Sequence, residues 1–178
     1  MSFSSLRRWV NRSTTSSAEL TPVPSTSADA EAQFLKGLNF ASGQGVAQDY
    51  TKAAQCYTVA AEQSHSLAQL NLAALYEQGH GVPRDQAKAL MWLTKAANLG
   101  NPAAQYRLGV QQHLACRTGR ASSAVEGRIE ALKWVRLSAA QGYRGAENAC
   151  QFVALSMTRE EVAESARRAS VSRPKCAV

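Results

Sequence analysis

The side chains from which a metal site, a nucleophile or an acid–base pair could be built are four cysteines and three histidines, set among 13 carboxylates in 178 residues. Cys56, Cys116, Cys150 and Cys176 form no C-x-x-C pair and share no regular paired spacing, so neither a zinc ligand set nor a disulfide ladder is predicted. His65, His80 and His113 are far apart in the chain and read as turn or surface residues. Glu160 and Glu161 stand where a helix is predicted to start, and the helix dipole favours acids in a first turn. Glycines at Gly43 and Gly45, and again at Gly79 and Gly81, follow helical rather than strand patterns, so they do not form a phosphate-cradling loop. No catalytic residue, cofactor or metal site is assigned, and the chain is expected not to be an enzyme.

Charge is the stronger chemical signal. The formal net charge is +7, and it is concentrated. Residues 104–145 carry Arg107, Arg117, Arg120, Arg128, Lys133, Arg136 and Arg144 against only Glu126 and Glu130, whereas residues 32–103 are nearly balanced. Such a patch attracts acidic protein, nucleic acid or anionic lipid over roughly the Debye length of ~8 to 10 Å. Nucleic acid is the weakest of the three, because basic and aromatic residues are not interleaved and no nucleic-acid motif is present.

The elements that must position these residues are written as a repeat. Ala32 recurs as Ala68, Gln33 as Gln69, Gly43 and Gly45 as Gly79 and Gly81, Asp49 as Asp85, Lys52 as Lys88, and Ala60-Ala61 as Ala96-Ala97, always 36 residues on. A third copy opens at Ala104 and recovers at Trp134 and Gly142 once six extra residues are removed; a fourth, partial copy begins at Ala146. A period of this size marks a stack in which no unit buries its apolar face alone. Ala68, Leu72, Leu75 and Tyr76 form the stripe of an amphipathic first helix, helix A. Gly79 and Gly81 end it and reverse the chain, Val82 anchors the turn, and Asp85 caps a second helix, helix B, that runs to about Leu99. The domains predicted are a leader over 1–28, a repeat domain over 29–170 and a tail over 171–178. Within the domain lie repeats 32–67, 68–103 and 104–145, a partial repeat 146–157 and a capping helix 158–169.

The pattern A-x-x-x-L-x-x-x-Y-x-x-G-x-G-V-x-x-D-x-x-K-A-x-x-W-x-x-x-A-A-x-x-G, nearly whole in residues 68–100, resembles the Sel-1-like repeat family, a relative of tetratricopeptide repeats. The resemblance covers about residues 32–155 and implies an all-α, right-handed solenoid of about three and a half helix-turn-helix repeats that serves as an interaction scaffold. Two departures stand out. Lys36 replaces the leucine of Leu72 and Leu108, as suits an end repeat, and in the third copy Gly127 falls where the capping aspartate should be. The 114–127 segment is accordingly expected to be the longest irregular loop. Cysteine-rich, secreted relatives carry paired cysteines and a described penicillin binding; this chain lacks those pairs, which leaves β-lactam binding or hydrolysis as a remote rival.

Both ends differ from the repeats. Residues 1–28 are rich in Ser and Thr, with Pro22, Pro24 and three arginines before the first acid, and are expected to be disordered. No apolar run follows Arg7-Arg8, so cytoplasmic residence is expected, with organelle targeting as the alternative. Thr158 and Glu161 form a capping box for a last helix, with Val162, Ala166 and Ala169 inward. Cys56 and Cys150 read as small buried apolar residues.

The function expected is that of a non-enzymatic adaptor for a protein or peptide, with anionic partners on the basic third repeat as the alternative. The resemblance places helix A on the concave face, where the partner-binding candidates are Gln69, Asn71, Gln105, Arg107 and Gln111, with Tyr106 as aromatic anchor. For the glutamines the competing reading is that they cap or solvate the helix. Oligomeric state is not assigned.

Overall fold

A computed structural model describes residues 27–119 and 123–172, which form eight α-helices and no strand. They are α1 (Ser27–Ser42), α2 (Tyr50–Glu62), α3 (Ser66–Gln78), α4 (Gln86–Asn98), α5 (Pro102–Arg117), α6 (Ala124–Ala139), α7 (Ala146–Ala154) and α8 (Arg159–Val171). The leader and tail expected at the two ends lie outside the described residues, apart from the first residues of α1 and the last of α8. Helices pair as α1 with α2, α3 with α4 and α5 with α6, and each second helix packs on the first helix of the next pair. Helices α1, α3, α5 and α7 therefore take the helix A place, and α2, α4 and α6 the helix B place.

The repeated residues do the same work in each copy. Asp49 and Asp85 accept hydrogen bonds from the Lys52 and Lys88 backbone N–H groups, each at 3.0 Å, and so satisfy a free donor at the start of α2 and α4. The side chains of the same two lysines lie over the rings of Phe40 and Tyr76, at 5.6 and 5.4 Å. Alanines fill the narrow contact: Ala53, Ala60, Ala61, Ala68, Ala89, Ala96, Ala97 and Ala104 are all buried. In the third copy Ser138 takes the place of Ala60 and Ala96, and its hydroxyl donates to the Pro102 carbonyl at 2.8 Å, so the buried polar group is satisfied. Leu72 and Leu108 are fully buried while Lys36, in their column, is exposed at the open first repeat.

Gly79 and Gly81 both have positive φ, which a side chain resists. At Gly81 there is a second reason for glycine: an added Cβ would lie 2.2 Å from the Tyr50 carbonyl carbon, because the turn of the second repeat seats on the start of α2. Gly45 has the same backbone shape with nothing within 4 Å, since no described element precedes the first repeat.

The third repeat departs from expectation. Residues 114–127 are not a long irregular loop, for α5 continues to Arg117 and α6 begins at Ala124. The connection over 118–123 is six residues, shorter than the seven of 43–49 and 79–85. The extra residues became helix: α5 and α6 have 16 residues each, against 13 in α3 and α4. Ser123, not the Gly127 position, caps α6 by accepting from the Glu126 N–H at 3.4 Å, and Gly127 sits inside the first turn.

Helix α7 continues the stack on α6, but α8 leans back onto α6 instead of pairing with α7 as a helix B would. Its capping box is complete, with the Thr158 N–H donating to Glu161 at 2.9 Å and the Glu161 N–H to the Thr158 hydroxyl at 3.3 Å. The expected apolar face is corrected: the buried residues are Glu161, Ser165 and Ala169, with Val162 and Ala166 only half-buried. Charge adds to the apolar contact that Val162 and Ala169 make. Arg128 reaches Glu161 at 2.6 Å, and Arg168 reaches Glu130 at 3.0 Å and also grips Glu126 and Glu164. The Arg128 guanidinium holds the Glu161 carboxyl below the usual carboxylate range, and Arg168 does the same to Glu126.

Candidate functional site: the helix A face

Aligned positions on successive first helices form columns across the stack. One column runs Leu38, Ala74, Val110 and, across the six-residue expansion, Phe152. Apart from the small Ala74, which is half-buried, its members stand exposed, by 36% at Leu38, 39% at Val110 and 55% at Phe152. Leu114 lies one turn beyond Val110 on α5 and is 57% exposed. An apolar column that the repeats themselves leave open is unlike the alanine columns that they bury.

Beside it, the sequence candidates separate into two groups. Gln69 and Gln105 are corrected: both are buried and hold the stack together. Each donates its side-chain amide to the last turn of the preceding helix, Gln69 to the Ala61 carbonyl at 2.9 Å and Gln105 to Ala97 at 3.1 Å. Gln105 also accepts from Gln141 at 2.9 Å. The capping alternative for these two glutamines is the one observed, since an orphan carbonyl at a helix end needs a donor. In the fourth copy the position is Glu147, which has no amide to give, and it is exposed.

Asn71, Arg107, Gln111 and Tyr106 remain half-exposed. Asn71 lies beside the buried Tyr57, and burial pushes the Tyr57 hydroxyl up in pKa. Arg107 pairs with Glu77 on the neighbouring α3, so it ties adjacent first helices across the face. Tyr106 packs on Tyr143 with ring centroids 5.3 Å apart; it belongs to the same column as Phe34, which stacks on His65 at 4.5 Å. It is partly an inter-repeat packing residue rather than a free anchor.

The histidines and cysteines also fall into place. His65 caps α3 through Nδ1, which accepts from the Ala68 N–H at 3.1 Å, and its Nε2 meets Glu31 at 2.8 Å. His80 is exposed, its ring 5.1 Å from that of Tyr50. His113 is not the surface residue expected: it is buried beneath Phe152, edge to face at 5.5 Å, and its Nδ1 has no hydrogen-bond partner among the described residues. Burial lowers its pKa, and the Arg117 charge pushes the same way. Cys56 is buried as expected, whereas Cys150 is only half-buried, and burial pushes its thiol up. Among the described residues no cluster of three or more His, Cys, Asp or Glu could hold a metal ion.

The basic patch is partly answered from within. Arg107, Arg128 and Lys133 each meet a carboxylate, while Arg117, Arg136 and Arg144 meet none among the described residues; Arg120 lies outside them. Arg117 instead lies over the Phe152 ring at 6.0 Å. Sequence reading missed Val110, Leu114, Arg117 and Phe152 as one surface, although the column 38, 74, 110 and 152 would have revealed it once the expansion was removed.

A family model described as Sel1 repeat matches residues 30–65, 66–101 and 102–143. Among solved structures, the chain is similar to the Sel1 repeat protein from Oxalobacter formigenes, at 30% identity and TM-score 0.61, over 72% of this chain and 51% of that one. It is also similar to c5321, a protective antigen present in uropathogenic Escherichia coli strains displaying an SLR fold, at 27% identity and TM-score 0.63, over 82% of this chain and 31% of that one. The chain thus spans about half of the first and under a third of the second. Among curated proteins nothing matches.

Proposed function

The chain belongs to the Sel1 repeat family, and from that membership we propose that it is a non-enzymatic adaptor whose helix A face holds a protein or peptide partner. Sel1 repeats generally mediate protein–protein interaction. The observation that carries the reading is the open column of Leu38, Val110 and Phe152, flanked by the half-exposed Asn71, Arg107 and Gln111. No helix of the described residues is long and apolar enough to cross a membrane; cytoplasmic residence is part of the proposal. The rival reading, anionic partners on the basic third repeat, is weakened by the carboxylates that already meet Arg107, Arg128 and Lys133.

The test is affinity capture from a native lysate with the full chain as bait, eluted in rising salt and read by mass spectrometry. Arg107→Glu with Gln111→Glu serves as the face variant, since both side chains are half-exposed and neither lies in the alanine core. A small protein set lost with the variant, whose circular dichroism and melting match the parent, is the expected outcome. Capture unchanged by the variant removes that part of the face, and a salt-labile bulk of nucleic acid favours the rival.

A further inference from the structure

The C-terminal end of the helix A face differs from the rest in three ways that point to one kind of ligand. First, its apolar side chains are large and bare: Leu114 and Phe152 are 57% and 55% exposed, on two helices that touch through Phe152 and His113. Second, the cation beside them has no carboxylate. Arg117 lies over Phe152 and makes no ion pair among the described residues, whereas Arg107, earlier on the same helix, is answered by Glu77. Third, the floor is polar and unfinished, for His113 is 7% exposed and its Nδ1 lacks a partner among the described residues. A buried polar atom without a partner is uncommon and asks for an explanation.

Charge decides what covers this surface. The segments on either side of the helices are basic: residues 1–26 carry Arg7, Arg8 and Arg12 against Glu19, and residues 173–178 carry Arg173 and Lys175 with no acidic side chain. Both are net basic and bring more like than opposite charge to Arg117, Glu19 beside Leu20 being the one acidic–apolar pair in them. An arginine with an exposed aromatic beside it is the composition that dominates interface energies, and its complement is a carboxylate next to a bulky apolar side chain.

We propose that Val110, Leu114, Arg117 and Phe152, over His113, form a docking site for an extended segment of another protein in which an Asp or Glu stands one or two residues from a Leu, Phe or Trp. This inference rests on the adaptor reading and narrows it to one end of the face and one ligand chemistry.

The test uses the full chain and a fluorescein-labelled pool of short peptides with Glu or Asp next to Leu, Phe or Trp, read by anisotropy. Two counterpart pools carry Lys for the acids or Ser for the apolar residues. Preference of at least tenfold over both counterparts is expected, with a tenfold or greater loss for Phe152→Ala and for Arg117→Glu. Arg144→Glu, an equal change of charge elsewhere on the third repeat, should stay within twofold. Equal loss in Arg144→Glu, equal binding of the Ser pool, or no binding of the acidic–apolar pool overturns the site. Chemical-shift mapping on the unmutated chain guards against misfolded variants: shifts centred on 110–117 and 148–155 support the proposal, and shifts elsewhere, or peptide-independent dimerisation through these residues, refute it. If the Arg107→Glu/Gln111→Glu variant abolishes lysate capture while Phe152→Ala and Arg117→Glu leave it intact, the adaptor reading stands and this site falls; if no variant and no condition captures a protein, the adaptor reading itself fails.

Discussion

The first two repeats and the C-terminal third of the chain use the same helical plan, yet they are held by different forces. In α1 to α4 the joints are small and apolar: alanine against alanine, a glycine seated on a backbone, and a glutamine donating to a helix end. In α6 to α8 a smaller apolar cluster of Ala131, Leu132 and Val153, with Met157 and Val162 against it, is supplemented by ion pairs in which Arg128 and Arg168 reach Glu161, Glu126, Glu130 and Glu164. Close packing tolerates little change of shape. An ionic joint tolerates shape but answers to pH and salt. The regular end is therefore specified by sterics, and the irregular end by conditions.

Three experiments separate the two regimes, beginning with the largest expected effect. Gly81→Ala sets a Cβ against the Tyr50 carbonyl carbon as well as straining a positive φ, so urea titration should show a loss on the order of 3 kcal/mol or more. Gly45→Ala carries only the conformational cost of about 1 to 2 kcal/mol. Equal losses at the two glycines would mean that the inter-repeat seat contributes nothing. Next, Gln105→Leu removes the donor to the Ala97 carbonyl and should cost roughly 1 to 3 kcal/mol, while Glu147→Gln, at the exposed equivalent, should be close to neutral.

The smallest and most local effect is expected with acid. Burial holds His113 neutral, so its folded pKa lies below the ordinary value of about 6.5. Below that pH the unfolded chain takes up a proton that the folded chain refuses, and stability falls. Glu161 and Glu126 are also depressed, but they are acids: their contribution is present above the ordinary carboxylate range of about 4.5 and disappears as pH drops through their folded values. Amide exchange should accordingly report acid loosening of α8 before that of α3 and α4. Simultaneous loosening throughout would erase the distinction between the two joints.

What the sequence made legible follows the same divide. The capping aspartates, the turn glycines and the alanine contacts repeat without a slip, so Asp49 and Asp85 could be placed on helix starts from spacing alone. The third repeat was harder because six residues added between two helices can either loop out or lengthen the helices, and only the packing of α5 on α6 chooses. The glutamine column was visible too, yet its meaning was not, since a polar residue on a first helix serves a partner or a neighbouring carbonyl equally well in one dimension. Phe152 was hidden behind the expansion, and the return of α8 to α6 depends on ion pairs up to 42 residues apart that no local pattern announces.

That return has a consequence for how the chain comes into being. Contacts among α1 to α5 join neighbours in sequence, so each hairpin can settle on the one before it as synthesis proceeds from the N-terminus. Helix α6 has no such immediacy. One of its sides waits, with Arg128 and Glu126 unanswered, until α8 has also left the ribosome, and a chain stopped before Arg159 would leave a nascent stack with an unsealed end and two unpaired charges, Glu130 alone keeping its partner Lys133 on the same helix.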